Sequence, residues 1–145
     1  MPSLNNIFYL VFYVATTMGV ICIVNSTVKG HHVYKRKHSV GDKLQCILEP
    51  ENRHSDTAIV VKTKLLQTVG HVPEGLCQPL FELWHAEKIT EVECIVTGPP
   101  KCSDGGVWRR GGGVDIPCKF IIIGDARFKK EVKFKLKKTI MKLRV

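Results

Sequence analysis

The sequence predicts a mainly β domain with one or two helices, including a basic C-terminal helix, and an apolar N-terminal extension. Three observations support this fold class. Short runs that alternate apolar and polar residues recur between residues 40 and 123, and such alternation is typical of half-buried strands. Clusters of Gly, Pro and Asp separate the runs, as expected for turns. The length of 145 residues and the hydrophobic content of 44% suit one domain with a buried core.

The body of the domain is predicted to contain a series of strands, after a short extended segment over residues 31–35. The strands occupy residues 43–48, 56–63, 65–71, 91–96 and 115–123. Glu49 and the proline after it end the first strand, and the apolar end of the last predicts burial on both faces. Cys46, Cys94 and Cys118 lie in these runs, where a thiol usually acts as a small buried hydrophobe. We therefore expect reduced thiols in an intracellular protein.

A first helix is predicted after residue 75, where leucine and aromatic side chains share one face. That face holds Leu76, Leu80, Phe81, Leu83 and Trp84. Pro79 lacks the N–H that an interior helical residue donates. We therefore expect Pro79 in the first turn, with the regular helix beginning near it.

The C-terminal segment is predicted to be a basic amphipathic helix that packs on the β domain. Its apolar residues recur at intervals of four, which is the spacing of one helix face. They are Phe128, Val132, Leu136 and Ile140. The alternation of Val132, Phe134 and Leu136 leaves a strand as the alternative.

Positive charge is concentrated in the same segment. The chain has a formal net charge of +9; residues 119–145 hold 10 Lys and Arg against 2 Asp and Glu, whereas residues 1–118 hold 12 against 11. This concentration favours a polyanionic partner, either nucleic acid or an anionic membrane surface. A solubilising tail is the alternative. The tail lysines predicted to contact a polyanion are Lys129, Lys130, Lys133, Lys137 and Lys138.

An uncharged apolar run begins at Ile7 and ends at Val24. Its 18 residues are at the lower limit for spanning a bilayer. No Lys or Arg precedes the run, which disfavours a secretory signal. If the run is a membrane anchor, the basic residues that follow it would leave the domain on the cytoplasmic side. A buried strand and an artefact of gene prediction are the other interpretations.

Three motifs follow one another in the middle of the chain. They are an acidic-Pro-x-Asn cluster over residues 49–52, an Ala-Ile-x-Val run over residues 58–61 and Val-Gly-His-Val-Pro over residues 69–73. In this order they resemble the signature of the HIRAN domain family, whose members are small nucleic-acid-binding modules. The resemblance covers roughly residues 30–125. It implies a small OB-like or SH3-like barrel.

The resemblance also implies a binding site. In larger family members a pocket captures the 3′-hydroxyl end of single-stranded DNA, with aromatic residues on the bases, an Asp on the hydroxyl group and basic residues on the backbone. Tyr34 matches an entry-strand aromatic of the family, and His32 stands where a basic residue is common. His54 and Ser55 occupy the places of a second aromatic and of the end-binding Asp. Lys119, in a Pro-Cys-Lys-Phe segment that also resembles relatives, is a further predicted contact.

Residues 97–113 are rich in Gly and Pro and are predicted to form a long loop. Trp108, Arg109 and Arg110 lie at its centre. An indole can stack on a base, and guanidinium groups can pair with phosphate. A loop tip with a chance aromatic residue is the alternative.

No catalytic or metal-binding motif is present in the sequence. The six histidines lack the spacing of metal ligands, and neither a nucleophile elbow nor an acidic metal cluster occurs. We therefore predict a binding module rather than an enzyme, with no cofactor and no metal.

The predicted organisation has an apolar segment over residues 1–24, a HIRAN-like domain over residues 25–125 and a basic tail over residues 126–145. The predicted function is nucleic-acid binding, with single-stranded DNA and its 3′ ends as the expected ligand and the nucleus as the favoured location. The alternative is a membrane-anchored or protein-interaction module with a degenerate barrel and no nucleic-acid role.

Overall fold

Antiparallel strands form most of the structure, a computed structural model that describes residues 18–30, 39–49, 51, 56–102 and 114–143. Within these ranges the strands are β1 (Met18–Gly30), β2 (Lys43–Leu48), β3 (Ile59–Lys62), β4 (Thr68–His71), β5 (Ile89–Val96), β6 (Lys101–Cys102) and β7 (Val114–Asp125). The helices are α1 (Glu74–His85) and α2 (Lys129–Leu143), and one 3-10 turn (Ala126–Phe128) precedes α2.

The strands close into a barrel. Their order is β1-β4-β3-β2-β5-β7, and β7 pairs again with β1, so the described part of the chain forms a closed six-stranded antiparallel barrel. The β1–β7 ladder is long and runs from the pair Met18 and Asp125 to the pair Gly30 and Val114. The short strand β6 pairs with the start of β7. The predicted mainly β fold with a small barrel and two helices is therefore confirmed.

Alternate residues of each strand point into the barrel and form its core. Phe120 is fully buried in the middle of β7. Cys46, Cys94 and Cys118 lie inside the barrel on three neighbouring strands, and each is at most 5% exposed. All three are free thiols, and burial raises the pKa of the Cys46 thiol above its usual range. The prediction that these cysteines are buried is confirmed.

Gly70 permits the barrel to close between β4 and β1. Within the described residues these strands share two register pairs, one of which joins Gly30 to Gly70. A Cβ atom on Gly70 would lie 2.3 Å from the carbonyl oxygen of Lys29 and 2.7 Å from the Cα of Gly30. Both obstacles are backbone atoms, so only glycine fits at this position without moving a strand.

Helix α1 begins earlier than predicted. It starts at Glu74, and Pro79 lies inside the helix, so the prediction that Pro79 occupies the first turn is wrong. Proline removes the hydrogen bond that its N–H would have donated to the carbonyl of Gly75, and its ring crowds that carbonyl. Burial of Leu76, Leu80 and other residues of the same face offsets that loss.

Helix α2 confirms the predicted amphipathic helix and excludes the strand alternative. Val132 and Leu136 are at most 1% exposed, and Phe128 and Ile140 pack partly against the core. Phe134, which the strand pattern would have placed beside these residues, is 70% exposed. Spacing by four therefore identified the buried row, whereas alternation by two did not.

Two strands are shorter than predicted. The ranges 56–63 and 65–71 shrink to Ile59–Lys62 and Thr68–His71, and a tight turn separates the two strands. In this turn the N–H of Leu66 donates to the carbonyl of Thr63 (2.9 Å), and Leu66 has a left-handed φ of 62°. Apolar character alone therefore overestimated the length of both strands.

The apolar N-terminal run is only partly described. Its last residues, from Met18 to Val24, belong to β1, where Ile21 and Val24 are buried. The strand interpretation is therefore correct for these residues, and β1 continues without a break from Val24 into Asn25. Residues 1–17 and the predicted extended segment at 31–35 lie outside the described residues. No helix within the described ranges is long and apolar enough to cross a membrane.

Candidate nucleic-acid interface

Most of the predicted contact residues lie outside the described part of the chain. These are His32, Tyr34, His54, Ser55, Trp108, Arg109 and Arg110. Lys119 and the five tail lysines are described, and all six are exposed. The geometry of the candidate interface is therefore defined by these lysines and by the strand ends that flank the other residues.

Two of the flanking strand ends are neighbours. Gly30, which precedes residues 31–38, pairs with Val114, which follows residues 103–113. The chain therefore leaves β1 and enters β7 at adjacent positions of one ladder. The fold brings together the attachment points of the segments that contain Tyr34 and Trp108.

The residues that precede His54 and Ser55 leave the barrel at another position. Residues 52–55 follow β2, whereas residues 31–38 precede it. The first and last residues of β2, Lys43 and Leu48, are about 17 Å apart at the usual rise per residue. The end of residues 31–38 that leads into β2 is therefore distant from residues 52–55. The start of residues 31–38 is nearer, because Lys29 pairs with His71 in the β1–β4 ladder and His71 contacts Glu49. The joint role of Tyr34 and His54 stays a prediction.

Lys119 has a basic neighbour on the outer face of the barrel. Lys119 pairs with Ile95 in the β7–β5 ladder, and Ile95 pairs with Lys43 in the β5–β2 ladder. Residues paired directly across a ladder face the same side of a sheet, so the two lysines lie on one face with Cα atoms about 10 Å apart. Sequence analysis missed Lys43, although its place at the polar start of an alternating strand marks it as outward-facing.

The tail lysines differ in their surroundings along α2. Lys129, Lys133 and Lys137 line a groove between α2 and β1, whereas Lys130 and Lys138 do not. The helix also carries Lys135, which pairs with Glu82 of α1. Three of the five tail lysines therefore lie beside β1, whereas Lys135 lies beside α1.

The sequence motifs in the middle of the chain serve the barrel. Val69 and Val72 are at most 3% exposed and point into the core. His71 is hydrogen-bonded through Nε2 to Oε2 of Glu49, at 3.0 Å. Because Gly70 also permits the close approach of two strands, the motifs over residues 49–73 hold the fold together.

The described residues form a closed small barrel with exposed lysines on its outer face, and the comparisons identify its family. The family model of the HIRAN domain matches residues 17–112, and the chain belongs to this family. The predicted resemblance is therefore confirmed. HIRAN domains are binding modules, and no enzyme family is indicated by the matches.

Solved structures of HIRAN domains share the fold. The crystal structure of the HIRAN domain of human HLTF superposes with a TM-score of 0.65 at 18% identity, over 86% of this chain and 93% of that chain. The NMR structure of the HLTF HIRAN domain has a TM-score of 0.62, and the NMR structure of its DNA-bound conformation has a TM-score of 0.60, with the same identity and coverage. No curated protein matches the sequence significantly.

Proposed function

We propose that this chain is a nucleic-acid-binding module that holds single-stranded DNA by base stacking and backbone electrostatics. Membership of the HIRAN family carries this proposal. It is supported by the similarity of the fold to a HIRAN domain in its DNA-bound conformation. An intracellular, nuclear location would follow from this function.

The lysines provide the electrostatic part of the proposal. Lys43 and Lys119 share an outer face of the barrel, and the tail lysines extend the positive surface along α2. Each neutralised phosphate releases counterions, so affinity falls with salt. If four phosphates of a single strand are neutralised, the affinity decreases about 50-fold between about 50 and 200 mM salt.

The stacking and local polar contacts are proposed to come from Tyr34, His32, Trp108, Arg109 and Arg110. Stacking of one base on an aromatic side chain contributes about 1–3 kcal/mol. His54 and Ser55 are proposed to contact the strand end. This finer assignment rests on the resemblance of the motifs.

The test is a fluorescence-anisotropy titration of the full chain with a labelled single strand of about 12 nucleotides. Tyr34→Ala is expected to weaken binding about tenfold. Phe81→Ala, a change of a half-buried aromatic residue on α1, is the matched control and should leave affinity within about twofold. Absence of binding at low salt to both single-stranded and duplex DNA would exclude the function.

A second titration tests end recognition. The same oligonucleotide is compared with free and phosphate-blocked 3′ ends. A buried hydrogen bond to the free hydroxyl predicts about tenfold weaker binding of the blocked strand. Equal affinities would remove end recognition while leaving nucleic-acid binding in place.

A further inference from the structure

An open groove separates strand β1 from helix α2. Its volume is about 650 Å³, which is within the range of pockets that bind ligands. We call it the β1–α2 groove and define it by its lining: Val20, Ile21, Cys22, Ile23, Val24, Lys129, Lys133, Leu136, Lys137, Ile140 and Met141.

The groove exposes apolar side chains that the fold leaves uncovered. Val20 is 53% exposed, Ile23 56% and Met141 61%. The opposite side of α2 differs, because α1 packs against it and Glu82 pairs with Lys135 there. Helix α2 is therefore covered by a neighbour on one side and open on the other. Adjacent exposed aliphatic side chains of this kind mark interaction sites.

One wall of the groove is positively charged. Lys129, Lys133 and Lys137 are spaced by four residues, so they form one row with about 6 Å between successive positions. The described lining residues include no Asp or Glu. Among the described residues none of these three lysines forms an ion pair, whereas Lys88 and Lys135 each pair with a glutamate.

The charge and the apolar lining together select the kind of partner. A row of cations beside aliphatic side chains is complementary to a peptide that carries carboxylates along one edge and apolar side chains along the other. A polynucleotide fits less well because the described lining offers no aromatic ring for stacking. A flat bilayer would contact the rims of a concave groove rather than Cys22 and Leu136 within it.

We propose that the β1–α2 groove binds an acidic amphipathic peptide segment of a partner protein. Its apolar side chains fill the groove between Ile23 and Met141, and its carboxylates pair with Lys129, Lys133 and Lys137. The groove is distinct from the outer-face pair Lys43 and Lys119, but it shares Lys129, Lys133 and Lys137 with the tail surface proposed for nucleic acid. An acidic segment in the groove would compete with a polynucleotide for these lysines, and its binding does not require the nucleic-acid function.

The probe is a fluorescein-labelled synthetic helix of about 16 residues with Leu at positions i, i+3, i+4 and i+7 and Glu at most other positions. It is titrated into the full chain and followed by anisotropy. A peptide of the same design with Lys in place of Glu is the charge control. We expect saturable binding of the acidic peptide that is at least tenfold tighter than binding of the basic one.

Two pairs of variants locate the site. Lys133→Glu with Lys137→Glu should weaken peptide binding at least tenfold. Lys130→Glu with Lys138→Glu makes the same change of charge on the same helix but outside the groove, and should weaken it less than threefold. Ile23→Asp should also weaken it at least tenfold. Circular dichroism of each variant verifies that it is folded.

Three results would overturn the proposal. The first is no binding of the acidic peptide to the full chain, as expected if residues 1–17 or a second copy of the chain occupied the groove. The second is equal weakening by the two lysine pairs, which would indicate nonspecific electrostatics. The third is an Ile23→Asp variant that no longer binds phosphatidylserine vesicles but still binds the peptide. This result would assign the groove to lipid.

Discussion

The barrel wall and helix α2 both combine buried apolar residues with exposed lysines, but in different proportions. On β7 the exposed Lys119 lies between the buried Cys118 and Phe120, so the strand alternates between core and solvent. Helix α2 buries one row that includes Val132 and Leu136, and presents lysines over much of its remaining surface. The barrel wall is thus committed to the fold, whereas α2 combines one structural row with a large surface that is free to serve binding.

This difference shows where changes in sequence should affect stability and where they should affect binding. A buried barrel residue contacts neighbours on several strands, so its loss leaves a cavity. An exposed lysine of α2 contacts mainly water, and its replacement changes the surface charge with little effect on folding. The predictions below test this division, beginning with the largest expected effect.

Phe120→Ala should cause the largest loss of stability. Phe120 is fully buried in the centre of the barrel, and truncation of such a residue costs about 4 kcal/mol in the free energy of unfolding. Urea unfolding followed by circular dichroism measures the change. Lys119→Ala changes the preceding residue, which lies on the outer face, and it should alter the free energy of unfolding by less than about 0.5 kcal/mol. Similar effects of the two changes would contradict the assignment of faces on β7.

Gly70→Ala should destabilise the barrel by about 3 kcal/mol, which is typical of strong overpacking. Its Cβ atom would lie 2.3 Å from the carbonyl oxygen of Lys29, so strand β1 would have to move. Gly19→Ala is the control, because no atom lies within 4 Å of a Cβ atom at that position. Thermal unfolding of both variants measures the difference. Equal midpoints would show that β4 and β1 are not in close contact.

Leu136→Ala should destabilise the protein by about 2 kcal/mol, because the Leu136 side chain is 1% exposed on the packed face of α2. Phe134→Ala removes a larger side chain that is 70% exposed, and it should change stability by less than about 0.5 kcal/mol. Urea unfolding of the two variants compares the two faces of the helix. A larger effect of Phe134→Ala would reverse the assignment of the packed face.

Asp125→Asn should have the smallest effect, and this effect should depend on pH. Asp125 accepts hydrogen bonds from the backbone N–H and the guanidinium of Arg127 at 2.7–2.9 Å, and these bonds lower the pKa of its carboxyl. A lowered pKa stabilises the folded state above about pH 4, the ordinary value for Asp, and this stabilisation disappears as the pH falls through the folded pKa.

Urea unfolding at pH 6 and pH 3 tests this dependence. The wild-type protein should be more stable than the variant at pH 6, and the difference should shrink at pH 3. A difference that is independent of pH would show that the carboxylate charge of Asp125 contributes nothing at the junction of β7 and α2.

Much of the fold was predictable because it follows from the local spacing of apolar and polar residues. Strand β2 was predicted at its observed bounds, Lys43–Leu48, and the buried row of α2 followed from spacing by four. The errors occurred where tertiary contacts outweigh local preference. Pro79 is tolerated inside α1 because the leucines around it are buried, and the turn at Leu66 interrupts a run that composition alone would extend.

The candidate site was predictable only in part. The basic tail and Lys119 were identified from charge and motif, and the structure leaves them exposed. Lys43 was missed because its partnership with Lys119 requires knowledge that β2 and β7 both pair with β5. The middle motifs pointed correctly to the family, and the structure shows that several of their residues hold the barrel together.

The sequence by itself determined the strand and helix types, the buried cysteines and the basic amphipathic character of the C-terminus, because periodicity and charge are properties of neighbouring residues. Only the tertiary structure decided how the barrel closes at Gly70, which strand ends meet at Gly30 and Val114, and that a lysine-lined groove opens beside β1. Those features depend on contacts between residues far apart in the chain, for which a single sequence carries no local signal.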